Sequence, residues 1–225
     1  PRFPTIKDRY SSRKGYAQPN PDLKPEHAIH YELGLRGQPW EGAQLESALF
    51  LSQVRGMIQS TVIQAPGCDK YRPVGFCDQA TNVGKARHRG LELSLQQEFS
   101  AHWSAGLAYT YLNRRNQSDP DVKLVDTPNH RLFAHLSWKP TAQWEVMGSV
   151  ETESGRYYSY ANNKGDQIYE KTPGFALLGL KGIWRPNSDI TLEAGVRNLG
   201  DKLYQYKEGY PMPGRVWFVG GSYRF

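Results

Sequence analysis

Apolar and polar residues alternate along this chain with a period of two. In 214–225, Trp217, Val219, Gly221, Tyr223 and Phe225 fall on one face, while Val216, Phe218, Gly220, Ser222 and Arg224 fall on the other. Such alternation is the mark of a strand with one apolar and one mixed face. The stretch 90–96 is cleaner, with Leu91, Leu93 and Leu95 opposite Glu92 and Ser94. In 103–111 the apolar face carries Trp103, Ala105, Leu107, Tyr109 and Tyr111, aromatic at both ends and small or aliphatic between. The same pattern recurs over 27–36, 45–55, 131–138, 144–151, 175–184 and 190–197, which predicts about nine strands in all.

The connections sort by length. Those at 37–43, 99–102, 139–143 and 185–189 are short, and those at about 60–84, 114–129, 156–173 and 199–213 are long. Short and long alternate along the chain, so every long connection lies at the same end of an antiparallel sheet. A soluble sandwich has no reason for this sorting, whereas an outer-membrane barrel has short periplasmic turns and long extracellular loops. Residues 1–26 carry several prolines and no sustained period, and read as a further extracellular loop.

Composition supports a barrel over a sandwich. Hydrophobic content is 38% and mean hydropathy −0.68, and no run is long and apolar enough for a membrane helix. Alternating barrel strands average to such polar values. The mixed faces carry Glu32, Glu92, Glu145, Glu151, Glu193, Arg131 and Arg197. A dry core could not hold these charges unpaired, but a watery lumen can. The expected fold is therefore all-β, an antiparallel transmembrane β-barrel. The net charge of +6 is spread along the chain, which argues against nucleic acid as a partner.

Cys68 and Cys77 lie in a Gly-, Pro- and Asp-rich segment without a neighbouring histidine. That setting suits a disulfide better than a metal site, the alternative being two free surface thiols. A disulfide would place the loop in an oxidising space. The chain opens on Pro1-Arg2-Phe3-Pro4, without methionine or signal peptide, and reads as part of something longer or a processed product.

Four segments resemble the TonB-dependent outer-membrane receptors. They are Asn20-Pro21-Asp22-Leu23-Lys24-Pro25-Glu26, Arg89-Gly90-Leu91-Glu92-Leu93, Asn198-Leu199-Gly200-Asp201-Lys202-Leu203-Tyr204, and Pro213-Gly214-Arg215 leading to Phe225. They come in the family's order and span the chain. The resemblance implies the carboxy-terminal part of a plugged barrel of about 22 strands in the outer membrane of a Gram-negative bacterium. The plug, the TonB-contacting segment and the remaining strands would lie in another part of the same protein or on another chain. It further implies import of a scarce nutrient, most of all a ferric siderophore, energised by TonB, with cobalamin, haem or another metal chelate as runner-up. Outer-membrane lipid and lipopolysaccharide are implied surroundings. Tyr223 and Phe225 are implied to be read by the barrel-assembly machinery, and interface anchoring alone would also explain them. A plug-free porin-like channel or a surface-binding barrel is the alternative of another class.

Ligand chemistry falls to the long connections. Arg156, Tyr157, Tyr158 and Tyr160, with Tyr204, Tyr206 and Tyr210, and with Arg114 and Arg115, offer aromatic platforms beside cations. Such groups suit planar or anionic ligands such as iron–catecholate siderophores. The competing reading is an outer interface girdle of rim tyrosines. His135 and Arg131 fit a lumen pair rather than a metal site, and Met57, Met147 and Met212 are too dispersed to argue for copper. No metal site or cofactor is expected. Catalytic motifs are also missing: there is no Gly-x-Ser-x-Gly, no phosphate-binding loop and no His-Glu-x-x-His. Ser137 and His135 share a face but stand about 7 Å apart, too far for direct contact. An enzyme is not expected.

Overall fold

The computed structural model describes residues 1–68, 74–162, 164 and 166–225. A short helix α1 (Ile6–Tyr10) and strand β1 (Ala17–Gln18) precede the main strands. These are β2 (His27–Gly37), β3 (Ala43–Gln64), β4 (Phe76–Glu98), β5 (Trp103–Asn116), β6 (His130–Trp138) and β7 (Trp144–Glu153). The hairpin β8 (Tyr157–Ala161) and β9 (Gln167–Lys171) follows, then β10 (Phe175–Trp184) and β11 (Ile190–Arg197). The small hairpin β12 (Gln205–Lys207) and β13 (Tyr210–Pro211) precedes the last strand, β14 (Val216–Tyr223).

Nine strands form one path, β2-β3-β4-β5-β6-β7-β10-β11-β14, each antiparallel to the next, with β1 added alongside β4. The nine alternating stretches of the sequence are these nine strands. Register keeps their apolar positions on one face: Leu33 pairs with Leu49, Leu49 with Leu91, and Leu91 with Tyr111. Farther along, Ala134 pairs with Val150, Val150 with Leu178, and Ala194 with Val219. Leu33, Leu49, Leu178, Trp217 and Val219 all stand exposed on that face. An exposed apolar surface of this extent is what a sheet in contact with lipid presents. At the short-turn end, Trp103 stacks on Trp138 at 5.8 Å and Trp144 on Trp184 at 5.6 Å, both as cross-strand partners. These pairs form the aromatic edge expected at a membrane interface. No helix here is long and apolar enough to cross a membrane.

The polar face is laced by ion pairs. Arg131 reaches Glu153 at 2.7 Å, Arg185 reaches Glu145 at 3.1 Å, and Lys181 lies 3.7 Å from Glu193. Gly90 sits on this face beneath Phe50, whose ring atom lies 2.5 Å from where a Cβ would stand. Gly195 sits the same way under Phe218, at 2.6 Å. In both places glycine lets a neighbouring strand's ring lie across the backbone.

Two expectations change. The segment 60–84 is not a loop over most of its length. β3 and β4 stay paired from Met57↔Val83 to Gln64↔Phe76, so the arms of a tall hairpin fill it. At about 3.3 Å per residue a strand of this length spans roughly 70 Å, well beyond a hydrocarbon belt of ~25 Å. Alternation fades in the upper arms because neither face there meets lipid, while Thr61, Val62, Ile63 and Thr81 retain β-forming chemistry. Cys68 and Cys77 are joined as a disulfide near the hairpin tip.

Residues 1–26, expected as loop, form an ordered strap against that hairpin. Thr5 and Asp8 cap α1 reciprocally, the Asp8 amide donating to Thr5 Oγ1 and the Thr5 amide to Asp8 Oδ2. β1 runs parallel to Asp78 and Gln79. The motif 20–26 is the latch: Asn20 Nδ2 donates to the Ala80 carbonyl, Leu23 is buried, and the Ile58 amide donates to Glu26 Oε2. The motif around Asn198 is likewise scaffold. Asn198 and Asp201 hold positive φ, and Asp201 Oδ1 accepts from the Arg215 amide at 2.7 Å, tying the end of β11 to the start of β14.

Candidate functional site

At the long-connection end of the polar face, β6 and β7 deliver Arg131, Glu151 and Glu153 side by side. Alternation puts all three on one face, and register sets Arg131 opposite Glu153. Glu153 is only 2% exposed and also pairs with buried Arg156, which follows β7 by one turn of chain. Arg156 then donates to the Tyr206 carbonyl in β12. The Tyr206 hydroxyl donates to Glu151 Oε1 at 2.8 Å. Burial first, and this bond second, push the Tyr206 phenol above its ordinary value, so it stays a donor. Tyr204 and Tyr206 pack on Phe175 at 4.8 and 5.5 Å between ring centroids. Two carboxylates, two guanidiniums and an aromatic trio thus clamp the 199–213 connection onto the sheet. Arg131 remains largely exposed on its far side and can turn donors toward a ligand.

Beside this clamp, a recess of about 740 Å³ opens between the 117–129 connection and the β8–β9 hairpin, with Arg114, Lys123, His130, Tyr157 and Lys171 among its walls. Lys171 Nζ stands 4.8 Å over the Tyr157 ring. Cations and an aromatic plane around a space of this size can receive a planar or anionic small molecule.

The predicted ligand residues separate into groups. Arg156, Tyr204 and Tyr206 meet in the clamp, and Arg114 and Tyr157 meet in the recess. Arg114 also braces the connection above it, donating to the Val125 carbonyl and Thr127 Oγ1. Arg115, one residue on, turns to the apolar face and only borders the recess. The Tyr158 and Tyr160 hydroxyls both donate to Glu170, at 2.6 and 2.9 Å. That contact, chiefly from Tyr158, holds the Glu170 carboxyl below its ordinary value, and the Tyr158 phenol is pushed up to about 12. Tyr210 stands exposed, apart from the others, with Lys207 Nζ 6.0 Å from its ring. Sequence reasoning did not single out Glu153, Phe175, Lys171 or Glu170. Glu153 could have been found, because it continues the alternation of Glu145 and Glu151; Lys171 and Glu170 needed the hairpin pairing, and Phe175 the packing of Tyr204 and Tyr206 upon it. Among the described residues, no group of three or more His, Cys, Asp or Glu could hold a metal ion.

Membrane-facing apolar wall, charged inner wall and sorted connections define a portion of an outer-membrane receptor barrel. The chain belongs to the TonB-dependent receptor family: the family described as "TonB dependent receptor-like, beta-barrel" matches residues 2–199. The family is one of transporters, not enzymes, of the Gram-negative outer membrane. The chain is 27% identical to the ferrienterobactin receptor of Escherichia coli K12 over 96% of its own length and 32% of that protein's. It is 26% identical to the vitamin B12 transporter BtuB of Vibrio vulnificus over 100% of its length and 33% of that protein's. In structure it is similar to the copper transporter OprC, with a TM-score of 0.80 at 22% identity, covering 100% of this chain and 35% of that one. The chain therefore spans about a third of the length of the curated relatives it matches.

Proposed function

We propose that this chain supplies the ligand-facing outer rim of a receptor that imports a ferric siderophore across the outer membrane. The carrying observation is the recess of Arg114, Tyr157 and Lys171, cations beside an aromatic plane at the long-connection end of the sheet, with exposed Arg131 on the polar face beyond His130. Iron–catecholate chelates are planar-ringed and anionic, and this chemistry suits them. The similarity to ferrienterobactin receptors supports the same reading. Energy would come from TonB acting on a plug that docks against the polar face, and the barrel-assembly machinery would read the terminal Tyr223–Phe225 pair.

A deletion strain grown under iron limitation, with single siderophores added back, tests the nutrient. Growth on at least one ferric siderophore should depend on the gene. Dependence on cobalamin or haem instead would move the assignment to the runner-up, and no dependence on any metal chelate would end it. Uptake that survives loss of TonB would point to an open channel.

A further inference from the structure

On the apolar face of β3, β4 and β5, just past the last leucines toward the long-connection end, register gathers five cations. Arg89, Arg87 and Lys85 follow Leu91 at every second position of β4. Arg55 stands directly opposite Lys85, and Arg115 directly opposite Arg87. Four are exposed and Arg87 is half-buried. Among the described residues none of the five makes an ion pair. Nor does any carboxylate share this face over 45–55, 85–97 or 103–115. Directly opposed side chains of paired strands sit about 5 Å apart, and like charges so placed weaken a sheet. Two such pairs in adjacent ladders, with no acid on this face of the three strands, suit an anion from outside the chain.

Directly below lies a shallow apolar groove of about 470 Å³, lined by Tyr31, Leu33, Leu49, Leu51, Leu91 and Tyr111. Arg89 lines it too and joins it to the cations. The groove belongs to the lipid-contacting wall, and the cations stand where hydrocarbon gives way to headgroups. Guanidiniums grip phosphate bidentately, and an acyl chain suits an apolar groove open to lipid. A soluble anion would use the cations and leave the groove empty.

We propose that this patch is a binding site for a phosphorylated lipid of the outer leaflet. The phosphates engage Arg55, Lys85, Arg87, Arg89 and Arg115, and one acyl chain lies between Tyr31 and Tyr111. The site adjoins the nutrient recess, bordering it at Tyr111 and Arg115, and does not depend on which nutrient is imported.

The test uses the full receptor, isolated in detergent, exposed to lipid A, with bound lipid counted by mass spectrometry. Removing four charges in R55Q/R87Q/R89Q/R115Q should lower retained lipid A by about ten-fold or more. The charge-keeping R55K/R87K/R89K/R115K should retain most of it, and phosphatase-treated lipid A should bind the wild type as weakly as lipid A binds the glutamine variant. Heat-modifiable gel migration reports folding, and the milder R89Q/R115Q, expected to lose about three-fold, stands in if the fourfold variant does not fold. Equal lipid A on wild type and folded glutamine variants would overturn the proposal. Equal binding of the phosphate-free lipid, or displacement of lipid A by the same concentration of inorganic phosphate, would overturn it as well.

Discussion

From β3 to β5 the strands run on past the apolar belt; from β6 to β14 the main strands stop at it. On the tall side, β3 and β4 continue as one ladder to Gln64 and Phe76, the disulfide closes the tip, and the 1–26 strap braces the flank. On the low side, β7 ends at Glu153 and β11 at Arg197, and the chain beyond them makes two hairpins unpaired with the main sheet. Side-chain chemistry ties the chain there to the sheet, Glu153 with Arg131 and Arg156 and Glu151 with Tyr206, while Glu170 with Tyr158 and Tyr160 braces the β8–β9 hairpin within itself. The contrast shows two ways to order an extracellular connection. Backbone ladders make a rigid tower, while a few buried polar contacts make a clamp that single substitutions can open.

The clamp should break hardest at Glu153. In E153L, Arg156 keeps its buried position without its carboxylate, a situation that costs about 3–5 kcal/mol. Thermal unfolding of the full receptor, with hydrogen exchange over 199–213, should show a lowered midpoint and loss of protection there; an unchanged midpoint would refute the clamp. On the tall side, C68S/C77S should cost about 2–3 kcal/mol but only locally. Proteolysis near the tip should rise while the barrel's own unfolding stays put, and mass spectrometry without reductant should find Cys68 joined to Cys77. A smaller effect is expected for Y206F, which removes one hydrogen bond to a carboxylate, worth about 1.5–3 kcal/mol at most. Its signature is faster exchange over β12 and β13 with no change in β3 or β4.

Smallest is a pH effect at the exposed β8–β9 hairpin. Glu170 is held below its ordinary 4.5 by Tyr158 and then Tyr160, so its contribution is present above about that pH and is lost as pH falls through the lower folded value. Tyr158 is raised from 10.0 to about 12, so its contribution is present below pH 10 and is lost as pH rises toward 12. The hairpin contact should therefore hold between roughly pH 4.5 and 10, which an NMR titration of Tyr158 and Tyr160 can follow. Ring signals of the tyrosines that ignore pH at the acid edge would count against the shared carboxylate.

How much of this could be read without coordinates depended on whether lipid was present. Where a strand crosses the membrane, one face must be apolar and the other polar, so Leu91, Leu93 and Leu95 declare both the strand and its sides. The hydrophobic effect acts there at every second residue, and the nine main strands followed from it. Above the belt that constraint is lifted. Residues 60–64 and 76–84 could therefore pair without alternating, and the strap over 1–26 could order itself through single latches such as Leu23 and Glu26.

The chain alone thus determined an antiparallel sheet, its two faces, its short-turn and long-connection ends, and a cysteine pair suited to a disulfide. Local alternation and local turn chemistry suffice for these. Only the tertiary structure decided which charges meet. Arg156 finds Tyr206 across 50 positions, and Arg55, Lys85, Arg87, Arg89 and Arg115 look scattered until strand register sets them on one patch. Sequence distance says nothing of such encounters, because strand pairing makes neighbours of residues that the chain keeps far apart.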